Sequence, residues 1–258
     1  MLQPLVAQFT SRGMPAMETE RELAELAGRL RLWDAIAKTT VHPSGDVSGI
    51  ANITDRTVRF GEGAPEETLP AHLPRLLSAS RAAVAAGTPV VIMSECTLVP
   101  PVLAAVREKH PGVALVWIDA HGDLNTPETS PSGNQWGMPL RMILDAGFVR
   151  AEDAALVGAR SLDPSEAEFL AANGIDDSLD RALAGIDAVY VALDLDVLDP
   201  READVLIPEA SGFSADEVEA LLREVVSRAT LAGMGVTGFL ATDRNAALAA
   251  RMLAAAGL

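Results

Sequence analysis

The stretch Ala114–Pro139, ALVWIDAHGDLNTPETSPSGNQWGMP, decides the fold of this chain. It opens with an apolar run, Ala114 to Ile118, which is typical of a buried strand in a parallel sheet. Asp119, His121 and Asp123 follow in alternation, so their side chains point the same way if the chain is still extended there. Three groups that can bind a metal would then converge at the carboxyl end of one strand, where open α/β sheets place their ligands. The polar loop that follows suits a small substrate.

Apolar strand-like segments alternate with amphipathic helix-like segments along the chain, which predicts a parallel sheet with helices on both faces. The predicted strands are Leu5–Phe9, Thr57–Phe60, Pro89–Met93, Ala114–Ile118, Ala154–Val157, Ala188–Leu193 and Leu231–Phe239. The predicted helices are Glu18–Lys38, Glu66–Ala86, Pro100–His110, Gly137–Ala146, Ser165–Ala172, Ser214–Arg228 and Arg244–Ala256. Since no repeat or interdomain linker is evident, residues 1–258 are predicted to form a single domain.

The composition restricts the classes of partner. A formal net charge of −16 argues against nucleic acid and against an anionic membrane surface, and a solvated acidic surface explains it more simply than an attraction for cationic ligands. No apolar run approaches the roughly 18 residues that span a bilayer, and no signal peptide is recognisable at the N-terminus. The single cysteine, Cys96, excludes an internal disulfide and fits a reducing cytoplasm.

Polar groups that can bind a metal follow four of the predicted strands. Besides the first set, they are Cys96, Asp163 in GARSLDP, and Asp194 and Asp196 in AVYVALDLDVLDP. The carboxyl ends of parallel strands share one edge of the sheet, so these groups would crowd together. Ionised carboxylates raise the pKa of their neighbours, and a pair of divalent cations would relieve that repulsion while polarising a substrate.

Several of these residues also have purely structural explanations. Asp199 precedes a proline and is best explained as a turn residue, and Asp163, also before a proline, could be no more than a turn or helix-cap residue. Glu217 lies three residues after Ser214, which is the spacing of a capping box. Cys96 could be a small buried apolar residue. The alternation of acids around His121 has no comparable structural use, because unpaired buried carboxylates are costly.

Three motifs together resemble the ureohydrolase superfamily, which contains arginases and agmatinases. They are DAHGDLNTP from Asp119, SGN from Ser132, and DLDVLDP from Asp194. The resemblance covers roughly Pro89 to Glu217, half the chain. It implies an arginase-like fold, a single three-layer α/β/α domain on a mostly parallel sheet. It also implies two Mn²⁺ ions and the hydrolysis of a guanidino-type C–N bond.

The resemblance also implies a role for individual residues. Asp119 and Asp194 would bridge both metals, His121 and Asp196 would complete one metal, and Asp123 would bind the other and take up the proton of the attacking water. Asn125 and Ser132 match residues that hold the substrate α-carboxylate, with Asn134 in the same motif. Asp163 matches the acid that meets the α-amino group, and Glu217 the acid that faces the guanidinium group.

Three positions depart from the family pattern. Cys96 stands where a histidine binds the first metal, and its thiolate favours a softer divalent ion such as Zn²⁺ over Mn²⁺. Trp136 stands where a histidine shuttles a proton to the leaving amine, and indole cannot do acid–base work near neutral pH. Val236, Thr237 and Gly238 lie where many arginases carry a late glutamate used in assembly, so trimerisation by that route is not expected and a homo-oligomer is left open. Relatives that hydrolyse Nω-hydroxy-arginine carry cysteine at the first of these positions.

These patterns predict a cytoplasmic, binuclear-metal amidinohydrolase that acts on Nω-hydroxy-L-arginine or L-arginine, with the hydroxylated substrate slightly favoured by Cys96 and Trp136. One alternative is a non-catalytic relative that binds a guanidino compound or a single metal. Another is a phosphotransferase of the haloacid-dehalogenase kind, suggested by the apolar strand before Asp194. In those enzymes, however, the acidic motif opens the domain, whereas here it falls late in the chain.

Overall fold

A parallel sheet of five strands forms the centre of the computed structural model, which describes residues 40–41, 67–68, 76–77, 80–93, 96–240 and 242–258. The strands are β1 (Val90–Met93), β2 (Ala114–Ile118), β3 (Ala154–Val157), β4 (Ala188–Asp194) and β5 (Thr230–Thr237). They lie in the order β1-β5-β4-β2-β3, and each neighbouring pair is parallel. The helices of the described part include α1 (Val99–Lys109), α2 (Pro139–Asp145), α3 (Pro164–Asn173), α4 (Leu179–Ala182), α5 (Ala215–Arg228) and α6 (Asp243–Ala255).

The two faces of the sheet bury separate apolar clusters. Alternate residues of a strand point to opposite faces, so in β4 Tyr190 belongs to one cluster while Val189 and Val191 belong to the other. The first cluster includes residues of α1 and α2, and the second includes residues of α4, α5 and α6. Helices therefore cover both faces, and the predicted three-layer α/β/α arrangement is confirmed.

The strands form where the sequence is continuously apolar. Every residue of β2 and β4 is buried, as expected for central parallel strands covered on both faces. β4 lies between β2 and β5, so the acids that follow β2 and β4 come from adjacent strands. The described part contains no helix long and apolar enough to cross a membrane.

Some predicted elements differ from the structure. The helix predicted from Glu66 is wrong at its start, because Glu67–Thr68 is a two-residue strand paired antiparallel with Thr40–Val41. Prolines at 70 and 74 disfavour helix in the residues before them. The short helix α4 was not predicted, since four residues carry too little periodicity. The predicted elements Leu5–Phe9, Glu18–Lys38 and Thr57–Phe60 lie outside the described residues.

Candidate functional site

The acids that follow β2 and those that follow β4 lie close together at the carboxyl edge of the sheet. Ile118 and Leu193 are partners in the register of β2 and β4, so Asp119 and Asp194 follow at the same level. The backbone N–H of Ala120 donates to Oδ1 of Asp196 at 3.1 Å, which ties the two strand ends together. The pairing of these strands therefore sets the positions of the candidate ligands.

Asp119, His121 and Asp196 form a group that could hold a metal ion. Each offers one ligand atom, and these atoms all lie within 4.8 Å of one another. Nδ1 of His121 lies 2.9 Å from Oδ2 of Asp196 and 3.5 Å from Oδ1 of Asp119. Asp119 is oriented by two donors: the indole Nε1 of Trp117 at 3.0 Å and the backbone N–H of His121 at 2.8 Å. This arrangement presents two acids and one imidazole to a single point.

Asp123 lies beside this group in an unusual backbone conformation. Its φ of 52° falls in the left-handed region, which a non-glycine residue rarely adopts. The chain has thus left the extended conformation before Asp123, and the simple alternation expected from the sequence ends at His121. The side chain is buried, and Oδ2 has no hydrogen-bond partner among the described residues. An unpartnered buried carboxylate oxygen is costly unless a cation or proton completes it.

Glu166 holds the backbone around Asp123. Its carboxylate accepts hydrogen bonds from the backbone N–H groups of Leu124 and Asp163, both at 2.9 Å. It thereby connects the loop after β2 to the first turn of α3. Burial raises the pKa of this carboxyl above its ordinary value. Glu166 was not predicted from the sequence, although its position three residues after Asp163 matches a capping box.

Asp194 points towards the end of β5. Its Oδ1 accepts from the backbone N–H of Asp196 at 3.0 Å, and its Oδ2 accepts from the hydroxyl of Thr237 at 2.8 Å. Gly238 has a φ of 71°, and a Cβ at that position would overlap the Asp194 carboxylate. Only glycine therefore lets Asp194 take this orientation.

The titration behaviour of these acids indicates a site that needs positive charge. Burial raises the pKa of Asp119 to about 7, and it raises the pKa of Asp123 and of Asp194 well above the ordinary value. Neighbouring carboxylates raise these pKa values further. Hydrogen bonds to Asp119 and Asp196 raise the pKa of His121 to about 11. One imidazolium cannot neutralise four buried acids, so the donor set fits bound divalent cations.

Cys96 lies in a 3-10 turn, Cys96–Leu98, that follows β1 and leads into α1. The thiol is buried and free of any disulfide, and its Sγ lies 3.4 Å from the carbonyl oxygen of Trp136. Among the described residues, the structure does not place Cys96, Asp123 or Asp194 in a group of three candidate ligands. The metal-binding roles predicted for these three residues, with Asp194 bridging both ions, remain predictions.

The predicted substrate residues fall into two pairs. Nδ2 of Asn125 donates to Oδ2 of Asp163 at 2.7 Å, and Oδ1 of Asn125 accepts from the hydroxyl of Ser165 at 2.9 Å. Ser132 and Asn134 are exposed farther along the loop, where the backbone N–H of Asn134 donates to Oγ of Ser132 at 3.1 Å. The structure thus brings Asn125 and Asp163 into contact and leaves the other two at the solvent.

Glu217 lies in the first turn of α5 and completes a capping box. Its Oε2 accepts from the backbone N–H and from the hydroxyl of Ser214, both at 2.8 Å. These hydrogen bonds hold the pKa of the Glu217 carboxyl below its ordinary value. The side chain is exposed, and its hydrogen bonds are with Ser214 at the start of the helix rather than with the acids around His121.

Two further residues near the site escaped the sequence analysis. Oε1 of Glu209 lies 3.5 Å from Nε2 of His121. Arg160 donates to the carbonyl oxygens of Asp196, Glu209, Ala210 and Gly158. Glu209 lies in a long irregular loop without a periodic pattern, so its acidic side chain is the one feature of the sequence that could have indicated a role at the site. Arg160 lies in the noted segment GARSLDP, but an arginine that binds backbone carbonyls has no sequence signature.

Comparison with known proteins gives a consistent result. The sequence profile of the arginase family matches residues 17–256. An arginase of Bacillus subtilis (strain 168) is 34% identical over 159 residues, which make up 50% of this chain and 53% of that protein. The chain therefore spans about half the length of the curated relatives that it matches.

Solved structures also resemble the chain. The arginase from Bacillus cereus has a TM-score of 0.65 at 27% identity, covering 72% of this chain and 76% of that one. The arginase from Bacillus subtilis has a TM-score of 0.69 at 21% identity, covering 92% of this chain and 93% of that one. The second likeness extends the shared fold over most of the chain.

Proposed function

Because this chain belongs to the arginase family, we propose that it is a binuclear-metal amidinohydrolase. It would hydrolyse a guanidino C–N bond of an arginine-like amino acid, either Nω-hydroxy-L-arginine or L-arginine. The products would be an amine and either hydroxyurea or urea. The observation that carries the proposal is the convergence of Asp119, His121 and Asp196 at the carboxyl edge of the sheet.

The chain's own donors would hold two divalent cations, with Mn²⁺ as the proposed ion. The proposed ligands are Cys96, Asp119, His121, Asp123, Asp194 and Asp196. When bound, the cations would supply Lewis-acid activation of water and polarisation of the substrate. The unpartnered Oδ2 of Asp123 supports this assignment, because a buried carboxylate oxygen needs a positive partner. At Cys96 a softer ion is the alternative, since thiolate binds such ions more strongly.

An α-amino acid suits the substrate residues proposed here. The carboxylate of Asp163 would accept from the α-amino group, and the amide of Asn125 would donate to the α-carboxylate. The contact between these two side chains, 2.7 Å from Nδ2 to Oδ2, supports a shared binding surface. Ser132 and Asn134, on the exposed part of the same loop, would complete the carboxylate contacts. A decarboxylated substrate such as agmatine would leave Asn125 and Ser132 without their partner.

Two acids would assist the reaction at the guanidino group. Asp123 would accept the proton of the attacking water, and burial together with neighbouring carboxylates raises the pKa of its carboxyl, which favours proton uptake. Glu217 would orient the guanidinium group. For that role its carboxylate must leave the cap that it forms with Ser214.

A non-catalytic relative that binds a guanidino compound or one metal is the second candidate. It is favoured by a specific observation: among the described residues, the acids and histidine gather into one three-residue group rather than two. Trp136 adds to this alternative, because its side chain offers no acid–base group.

Turnover of a substrate panel separates the two candidates. Purified protein is loaded with Mn²⁺, and release of urea and hydroxyurea is measured from L-arginine, Nω-hydroxy-L-arginine and agmatine. An Asp119→Asn variant serves as the inactive control. We expect turnover of the two amino acids and little of agmatine. No turnover of any of the three, in protein that elemental analysis shows to be loaded with metal, would favour the non-catalytic relative.

We also propose a cytoplasmic protein whose partner is a small molecule, with no nucleic acid or membrane partner. The net charge of −16 and the single cysteine support this proposal. A homo-oligomer is to be tested by sedimentation. Thr237, at the position of the late glutamate, donates its hydroxyl to Asp194 within the chain, so assembly through that position is not expected.

A further inference from the structure

The two ring nitrogens of His121 face different acids. Nδ1 faces Asp119 and Asp196, the members of the candidate metal group. Nε2 faces the other way and lies 3.5 Å from Oε1 of Glu209. A histidine that binds a cation through one nitrogen commonly donates the N–H of the other to a carboxylate, which fixes the tautomer and the orientation of the ring. Glu209 occupies that second position.

The backbone of Glu209 is held in place by Arg160. Nη2 of Arg160 donates to the carbonyl oxygens of Glu209 and of Asp196, each at 2.9 Å. Nε donates to the carbonyl of Ala210 at 2.9 Å. One planar guanidinium group therefore connects the turn that carries Asp196 to the loop that carries Glu209. The acid beside Nε2 and an acid beside Nδ1 are fixed relative to each other.

The carboxylate of Glu209 has His121 as its ion-pair partner within the described part of the chain. Its side chain is 32% exposed, so it is partly shielded from solvent beside His121. The neighbouring acid Asp199, in contrast, pairs with Arg201. Of these two acids, Glu209 is the one directed at the candidate metal group.

We propose that Glu209 is a positioning residue for the metal centre. It accepts a hydrogen bond from Nε2–H of His121, so that Nδ1 is the nitrogen directed at the cation, and Arg160 holds the loop from which Glu209 acts. The inference rests on the metal site of the proposed function and assigns Glu209 no contact with substrate. The 3.5 Å separation is longer than an ordinary hydrogen bond, and we expect it to shorten when Nδ1 ligates.

Metal affinity tests the proposal without reference to turnover. The dissociation constant for Mn²⁺ is measured by isothermal titration calorimetry for the wild type, Glu209→Ala and Glu209→Gln. Loss of an outer carboxylate weakens metal binding about 10–100-fold, and we expect that loss in Glu209→Ala. The amide oxygen of glutamine still accepts a hydrogen bond, so Glu209→Gln should retain part of the Mn²⁺ affinity that Glu209→Ala loses. Glu202→Gln is the control for the charge change, because Glu202 lies on the same loop and its side chain makes no hydrogen bond within the described part of the chain; this variant should bind as the wild type does.

A spectroscopic measurement follows the ring itself. In protein labelled with ¹⁵N-histidine and loaded with Zn²⁺, the wild type should show His121 in the Nε2–H tautomer, and Glu209→Ala should show a mixed or broadened signal. Equal Mn²⁺ affinities for wild type and Glu209→Ala would overturn the proposal, as would an unchanged tautomer. Normal metal binding without turnover would count against the amidinohydrolase and leave the role of Glu209 intact. Failure of the wild type to bind Mn²⁺ would overturn both.

Discussion

The thiol of Cys96 lies 3.4 Å from the backbone carbonyl oxygen of Trp136. The two positions at which the sequence departs most from its family are therefore in contact, although they are 40 residues apart in the chain. Contacting residues rarely contribute independently to affinity or rate. Substitutions at Cys96 and in the loop that carries Trp136 are therefore best interpreted together.

Cys96→His is expected to strengthen Mn²⁺ binding on the order of tenfold, which corresponds to about 1.4 kcal/mol. An imidazole nitrogen suits Mn²⁺ better than a thiolate does, and the preference for softer ions should fall at the same time. Calorimetry with Mn²⁺ and Zn²⁺ measures both affinities, and product analysis measures the ratio of turnover of L-arginine to that of Nω-hydroxy-L-arginine, which should rise.

Cys96→Ser is the matched control, since it removes the soft donor with little change in volume. Adding Trp136→His to Cys96→His supplies a possible proton donor, and the pair should change the substrate ratio by more than the sum of the single effects. Unchanged metal content and substrate ratio in Cys96→His would argue that the thiol is only a buried apolar group.

Asp119→Asn is expected to change stability in opposite directions with and without metal. In the folded wild type, the pKa of Asp119 is raised to about 7, so folding disfavours its ionised form. The folded protein therefore loses stability as pH rises from about 4 through about 7, because Asp119 must then ionise in a buried position. At pH 8 a neutral amide removes that penalty, and the metal-free variant should melt at a higher temperature than the metal-free wild type.

With Mn²⁺ present the order should reverse, because Asp119 is proposed to bridge both cations. Elemental analysis should find both ions lost from Asp119→Asn and from Asp194→Asn. Asp199→Asn, which changes a partly buried turn acid paired with Arg201, should retain them. Full retention of metal by Asp119→Asn would refute the bridging assignment.

The affinity for Mn²⁺ should rise with pH about tenfold per unit between pH 7 and 9, because a bound cation displaces the proton of His121. The pKa of that imidazole is raised to about 11 by Asp119 and Asp196, so it is protonated throughout this range in the metal-free protein. Below about pH 7 the dependence should steepen, since Asp119 also takes up a proton.

Calorimetry in buffers of different ionisation enthalpy counts the protons released, and we expect about one at pH 8. The His121→Asn variant should release fewer. An affinity that does not change between pH 7 and 9 would contradict the displacement.

Glu217 offers a choice between a structural and a catalytic role, and two substitutions distinguish them. Ser214→Ala removes the cap and should cost about 1 kcal/mol of stability with little effect on kcat/KM. Glu217→Gln keeps a capping partner but removes the charge. If Glu217 faces the guanidinium group, this variant should keep its melting temperature and lose kcat/KM.

The control for that experiment is Asp216→Asn, an exposed acid of the same helix turn that pairs with Arg251. A Glu217→Gln variant with the kinetics of the wild type would restrict Glu217 to its capping role with Ser214.

Long apolar runs that end in acids made the centre of the fold predictable. The sequences of β2 and β4 are almost continuously apolar, which predicts buried central strands, and the structure shows them buried. Pairing of their ends brings Asp119, His121 and Asp196 together. The contacts that finish the site were not predictable in the same way. The hydrogen bond from Thr237 to Asp194 depends on the register between strands, and the left-handed φ of Asp123 depends on local packing.

Loop residues were the hardest to assign. Glu209 lies beside His121 on a loop whose backbone Arg160 binds, and no periodic pattern in the sequence predicts such a contact. The sequence allows Glu217 either a capping role or a contact with the guanidinium group, and the structure shows the capping role. The positions of site residues at strand ends can thus be predicted from the sequence pattern, whereas the contacts of site residues in loops are seen only in the folded structure.

The hydrogen bond from the indole of Trp117 to Asp119 gives the chain a built-in optical reporter. The ring is buried in the apolar cluster on one face of the sheet, and its N–H donates a hydrogen bond to a carboxylate proposed to bridge both cations. Any change of charge on that carboxylate would alter the electric field along the indole and hence its emission. Ultraviolet fluorescence could therefore follow loading of the centre in real time, with no dye or label added.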